Sequence, residues 1–196
     1  MTAGAAAADS AVDQFGSDKI AARVEIQHRI YQFCRAVDRR DLGYARSAFH
    51  DDAVDHHGVF EGDFEGLRRW IEERHEALPF SYHLVGNVTI DFATDTDAFV
   101  ESYVMTWQSV SAETNTLDVS LDETSPDPEI LAAGRYVDHF TRRDGAWRIQ
   151  RRVSFPESFM VVPARGAASG SAAGGWARPA RDDSDPAQVL RRELGL

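Results

Sequence analysis

The chain has 196 residues, 43% of them hydrophobic and 10% aromatic, enough to bury one substantial core but not two. It carries 21 basic against 32 acidic residues, a net charge of −11, which argues against nucleic acid or an anionic membrane as a partner. A single cysteine, Cys34, rules out an intramolecular disulfide, and no run approaches a membrane span, so a soluble, cytoplasmic protein is expected.

The first ten residues are alanine-rich without a basic start or a leucine-rich core and do not read as a signal peptide. Residues 1–16 are expected to be disordered. Ser17 or Asp18 can cap a helix running to about Arg39, with Ile20, Val24, Ile26, Ile30, Phe33, Cys34 and Val37 as its apolar positions. From Ile26 onward, steps of four, three and four place these side chains on one stripe. Asp38 adjoins the stripe in the last turn, where the negative end of the helix dipole gives a carboxylate no benefit. A second, short helix starts at Asp41-Leu42-Gly43, and Ala53 to Gly58 reads as a short strand followed by a turn at Val59 to Gly62. Asp63 caps a third helix, Phe64 to Leu78, which Pro79 ends.

From there to Pro156 the pattern is strand. Phe80 to Phe92 contains Ser81-Tyr82-His83-Leu84-Val85-Gly86-Asn87, where strict alternation puts His83, Val85 and Asn87 on one face unless a bulge at Gly86 changes the phase. Ala98 to Val110 follows, then an acidic loop from Ser111 to Pro128 without period. Ile130 to Arg142 and Ala146 to Phe155 are joined through Arg143-Asp144-Gly145, a hairpin signal. Residues 161–196, with a Gly/Ala/Ser run at 166–175, are expected to form a flexible tail in which Trp176 and the short segment Asp185 to Leu194 could dock on a neighbour. The expected organisation is one α+β domain over residues 17–160, three helices packed on one face of a curved, mostly antiparallel sheet.

Several quoted stretches together resemble one family: Arg35-Ala36-Val37-Asp38-Arg39-Arg40-Asp41, Asp51-Asp52-Ala53-Val54, His83-Leu84-Val85-Gly86-Asn87, Gly134-Arg135-Tyr136-Val137-Asp138 and Arg142-Arg143-Asp144-Gly145-Ala146-Trp147. They look like a SnoaL-like protein of the nuclear transport factor two superfamily, from Asp18 to Phe155. The resemblance implies a cone-shaped α+β barrel with a mixed, mostly antiparallel sheet. It lies nearest the branch holding scytalone dehydratase, hexachlorocyclohexane dehydrochlorinase and bile-acid dehydratase.

By motif position, the catalytic aspartate and histidine of that branch fall on Asp38 and His83, and its last-strand arginine on Arg152. Imidazole titrates near neutral pH and can move a proton from carbon, and a carboxylate on its other nitrogen fixes the tautomer. The arginine could stabilise a departing anion or an enolate oxygen. The relatives carry a lysine or tyrosine five residues before the aspartate, where this chain has Phe33. Tyr136 or Tyr31 could supply a hydroxyl instead, against the plainer reading of Tyr136 as a wall aromatic. The pocket is expected to be lined by Phe33, Val37, Trp70, Leu78, Val104 and Tyr136.

Strand phase leaves the arginine open: motif position favours Arg152, whereas an inward Ile149 would favour Arg151. The His50-Asp51-Asp52 and Asp55-His56-His57 clusters have metal-ligand chemistry, but adjacent His56 and His57 point to opposite faces, so no metal and no cofactor is expected. Cys34 reads as a packing residue. The function expected is a lyase or isomerase acting on a hydrophobic, polycyclic or aromatic small molecule. The alternative is a ligand-binding or accessory domain of the same fold without chemistry. A homodimer or homotrimer is expected, covering the outer sheet face.

Overall fold

In a computed structural model of the chain, residues 12–76, 78, 80–109, 128–162, 177 and 179–196 are described below. Helix α1 spans Ser17–Arg39, and its stripe of Ile26, Ile30, Phe33, Cys34 and Val37 is buried as the spacing requires. Ile20 and Val24, off that stripe, are exposed, and Gly16 rather than Ser17 or Asp18 occupies the N-cap. A short helix, α2 (Leu42–Ala45), and one 3₁₀ turn (Arg46–Ala48) lead into strand β1, Phe49–His57. Strand β2 (Phe60–Gly62) pairs back on β1, where a simple turn was expected. Helix α3, Phe64–Glu76, begins with the Asp63 carboxylate accepting from the Gly66 amide at 2.8 Å.

Three long strands and a fourth complete the sheet: β3 (Ser81–Phe92), β4 (Asp97–Ser109), β5 (Glu129–Arg143) and β6 (Ala146–Val162). The six-stranded order is β2-β1-β6-β5-β4-β3, parallel only between β1 and β6. Asp144 and Gly145 both have positive φ, 52° and 80°, the backbone of a two-residue hairpin that follows the twist of β5 and β6. The core lies between α1, α3 and the inner sheet face, with Phe33, Phe49, Phe140 and Ile149 at its centre. Four helices thus pack on a mixed, unclosed sheet with the cone-like α+β architecture, one helix more than the sequence pattern implies.

Two bulges decide which side chains face inward. Between Gly86 and Thr89 the β3–β4 register slips and Asn87 takes φ 47°. Ser81, His83 and Val85 face in before it, Val88, Ile90 and Phe92 after it, and Asn87 is exposed rather than sharing the face of His83. Between His139 and Phe140 the β5–β6 register also slips, making Gln150 the extra residue. Ile149 and Arg152 are therefore both fully buried and Arg151 is exposed. The choice between Arg151 and an inward Ile149 dissolves.

The segment expected to be a tail contributes to the domain at both ends. Strand β6 continues to Val162, and residues 179–196 return to α1 with helix α4, Pro186–Glu193. Asp185 caps α4 by accepting from the Ala187 amide at 2.9 Å, and Arg35 donates to the Gln188 side chain at 2.8 Å. The acidic loop at 110–127, the Gly/Ala/Ser run and residues 1–11 lie outside the described residues. Among the described residues, no helix is long and apolar enough to cross a membrane.

Candidate active site

Asp38 ends α1 and His83 opens β3, and the fold places them against each other. Asp38 Oδ1 lies 2.6 Å from His83 Nδ1, and Asp38 Oδ2 accepts from the His83 backbone amide at 2.9 Å. Ser81, on the same face two residues earlier, donates its hydroxyl to Asp38 Oδ1 at 3.1 Å. Against a carboxylate, Nδ1 is the donor, so Nε2 carries the lone pair in the neutral ring. Among the described residues Nε2 has no hydrogen-bond partner, and His83 lines a cavity of about 340 Å³. Such an imidazole can take a proton from a molecule in the cavity.

A polar chain supports the carboxylate from behind. Gln108 donates to Ser81 Oγ at 3.2 Å and accepts from Arg74 Nη2 at 2.9 Å. Arg74 Nη1 is 3.0 Å from His75 Nε2, and Arg181 Nη2 is 3.1 Å from His75 Nδ1. Burial, reinforced by these two guanidinium groups, pushes the His75 imidazole down to about 2, so it stays neutral. Arg181 also donates to the Val37, Asp38, His75 and Leu78 carbonyls at 3.2, 2.9, 3.3 and 2.6 Å. It thereby serves the unpaired carbonyls at the end of α1, the end at which Asp38 sits. Burial and the nearby Arg40 lower its own pKa to about 10.

The remaining expected residues divide. Trp70, Val104 and Tyr136 line the cavity with His57, Arg74, Thr106, Gln108 and Gly134. A Cβ at Gly134 would meet the Phe155 carbonyl oxygen at 2.5 Å, so this wall accepts no other residue without moving β6. Phe33 and Val37 are core residues and do not line the cavity. Leu78 packs instead with Ile130 and Ala132, and Tyr31 is exposed on the outside of α1. Tyr136 contributes to the cavity wall, and burial pushes the Cys34 thiol up to about 12, which rules it out as a nucleophile.

Arg152 is inward but does not line the cavity. Its Nε and Nη2 each donate to Asp138 at 2.7 Å, a bidentate pair with both side chains at 0% exposure. Burial opposes the guanidinium charge, and Asp138 outweighs it by attraction and hydrogen bonding, so its pKa rises. The guanidinium stacks over Tyr136 at 4.2 Å and Phe33 at 4.8 Å. A buried arginine needs a carboxylate, and Asp138, opposite it on β5, supplies one before any ligand can.

Three residues that bear on the site escaped sequence reasoning: Arg181, which lies beyond the family pattern, and the Asp55–His57 pair on β1. The i, i+2 spacing of Asp55 and His57 signals a shared strand face, a signal obscured by weighing His56 and His57 as metal ligands. His50 Nε2 donates to the Thr141 carbonyl oxygen at 3.0 Å, and His56 is exposed. Among the described residues no cluster of three or more His, Cys, Asp or Glu is arranged to hold a metal ion.

A SnoaL-like domain model matches residues 18–153, and the chain belongs to that family. Among solved structures it is similar to a hexachlorocyclohexane dehydrochlorinase, LinA type 2, at 22% identity and a TM-score of 0.63, covering 74% of this chain and 91% of that one. The type 3 enzyme from Novosphingobium barchaimii LL02 gives 22% identity, a TM-score of 0.63 and coverages of 74% and 92%. A scytalone dehydratase candidate from Novosphingobium aromaticivorans gives 18% identity, a TM-score of 0.60 and coverages of 78% and 95%. These likenesses, all below 25% identity, show the shared fold. Comparison with curated proteins gives no match.

Proposed function

We propose that this protein is a cofactor-independent lyase or isomerase that removes a proton from a carbon beside a carbonyl or similar activating group, with His83 as base and Asp38 as its orienting partner. The observation that carries this reading is the 2.6 Å Asp38–His83 contact at a histidine that lines a cavity. His83 Nε2 takes the proton, and the C–H electron pair moves into an enolate. The enolate either accepts a proton at another carbon, completing an isomerisation, or expels a leaving group to form C=C. Asp38 holds the imidazolium formed in between. The oxyanion needs positive charge nearby, and Arg74, on the cavity wall, takes the part that motif position assigned to Arg152.

The cavity lies at the small end of the roughly 300–1,000 Å³ usual for small-molecule sites, so a compact bicyclic ligand fits this reading better than a large polycyclic one. A second reading, ligand binding without chemistry, draws on one observation: the expected anion stabiliser, Arg152, is closed off with Asp138. Incubation with 2-tetralone in D₂O separates the two. Deuterium incorporation beside the carbonyl, followed by NMR, is expected for the wild type and absent for His83→Ala. A wild type that incorporates nothing above buffer supports binding only.

The outer sheet face, with Tyr82, Leu84, Tyr103, Met105 and Trp107 exposed, fits a homodimer or homotrimer, located in the cytoplasm on this reading. Sedimentation showing only a 21.8 kDa species at micromolar concentration would contradict the oligomer.

A further inference from the structure

Two imidazoles face the cavity, not one. His57, the last residue of β1, lines it together with His83 of β3, and these strands are separated by β6, β5 and β4 in the sheet order. Ala53, Asp55 and His57 share the inner face of β1 by strand alternation. His57 Nδ1 lies 3.2 Å from Asp55 Oδ1 and donates to it, and Nε2 has no partner among the described residues. The ring is fixed by Trp70 at 5.5 Å and Tyr136 at 6.1 Å, centroid to centroid, both cavity-wall aromatics.

Asp55 is an expensive residue to bury for packing alone. It is 1% exposed, and its Oδ2 has no hydrogen-bond partner among the described residues. Its neighbour across the β1–β6 ladder is Arg152, whose Nη1 is likewise unpartnered and whose charge Asp55 helps to hold. A row of side chains, Asp138, Arg152, Asp55 and His57, thus runs from the sealed core to the cavity surface. Its core end is closed and its outer end is a histidine with a free nitrogen.

We propose that His57, oriented by Asp55, is a specificity-determining residue of this cavity: its Nε2 takes a hydroxyl group at the end of the ligand remote from His83. A hydroxyl suits either form of the ring, donating to a bare Nε2 or accepting from a protonated one. The ligand class this defines is a compact bicyclic molecule with an acidic C–H toward His83 and a hydroxyl toward β1. The inference rests on reading the cavity as the protein's small-molecule site, but not on turnover, so the two fail separately.

The test is a pair of probes differing by one hydroxyl, 2-naphthol and naphthalene, titrated by fluorescence against the full chain. The wild type is expected to bind 2-naphthol about tenfold or more tightly than naphthalene, the scale of one buried hydrogen bond. His57→Phe, which keeps the ring stack and removes the nitrogen, is expected to lose that preference while still binding naphthalene. His83→Phe is expected to keep it. The unaltered protein gives a second readout that needs no variant: the ¹⁵N resonance of His57 Nε2 should move on adding 2-naphthol and not on adding naphthalene. Equal affinity for both probes, binding of neither, a preference that survives His57→Phe, or a ¹⁵N resonance indifferent to 2-naphthol would each overturn the assignment.

Discussion

Asp38 with His83 and Asp138 with Arg152 are both inward carboxylate pairs that involve the same sheet, and they differ in what they leave open. The first joins the end of a helix to the start of an edge strand, beside a cavity, with one ring edge unclaimed. The second joins adjacent central strands, is fully enclosed and uses both carboxylate oxygens. A pair at a seam between elements can retain a reactive edge, whereas a pair within the ladder is consumed by its own desolvation. Sequence motifs alone rank Arg152 with His83 as a candidate catalyst; burial separates them.

Removing a partner should therefore have opposite consequences in the two places. Arg152→Met strands the Asp138 carboxylate in the core and is expected to cost about 3–5 kcal/mol of stability, measured by denaturant unfolding. Adding Asp138→Leu should restore part of that loss, since an apolar replacement leaves fewer charges buried alone. A smaller free-energy effect is expected for His83→Ala, which should lower deuterium incorporation into 2-tetralone about a hundredfold or more. Its unfolding midpoint should move less than that of Arg152→Met. If instead Arg152→Met stays stable but loses turnover, the assignment of the two pairs is reversed.

Arg181 lets the comparison be sharpened, because it serves the carbonyls beside Asp38 and none beside Asp138. Arg181→Ala is expected to cost about 1–3 kcal/mol in unfolding experiments, the scale of lost charged hydrogen bonds. His75 contributes an effect that depends on pH. Its folded pKa is about 2, well below the ordinary value of 6.5, so between those limits the unfolded chain binds a proton that the folded one refuses. Stability from this group is present above about pH 6.5 and lost as pH falls toward 2, at up to about 1.4 kcal/mol per unit. Replacing it with glutamine should remove that slope, read as the difference between wild-type and variant unfolding curves from pH 7 to pH 4.

Much of the architecture is legible in local pattern. The stripe from Ile26 to Val37, the Asp63 cap and the Asp144-Gly145 turn each rest on chemistry within a few residues, and each takes the form expected. Asp38 and His83 meet because two motifs are brought together by the fold they specify. What alternation cannot supply is the phase beyond a bulge. Asn87 and Gln150 each shift a strand by one residue, which is why Val88 and Arg152 face inward. Phe33 and Val37 were expected at the pocket, but the helical stripe that buries them faces the core, and neither lines the cavity. The docking of 179–196 through Arg181 and α4 depends on contacts more than 100 residues apart in sequence, to which periodicity is blind.

The central claim, that Asp38 fixes the His83 tautomer so that Nε2 is the free base, is most directly tested by ¹⁵N NMR of histidine-labelled protein at pH 8. The account predicts a protonated Nδ1 and a bare Nε2 for His83 in the wild type. Asp38→Asn should shift the ring toward the other tautomer. A wild-type His83 carrying its proton on Nε2, with Nδ1 bare beside Asp38, would contradict the account.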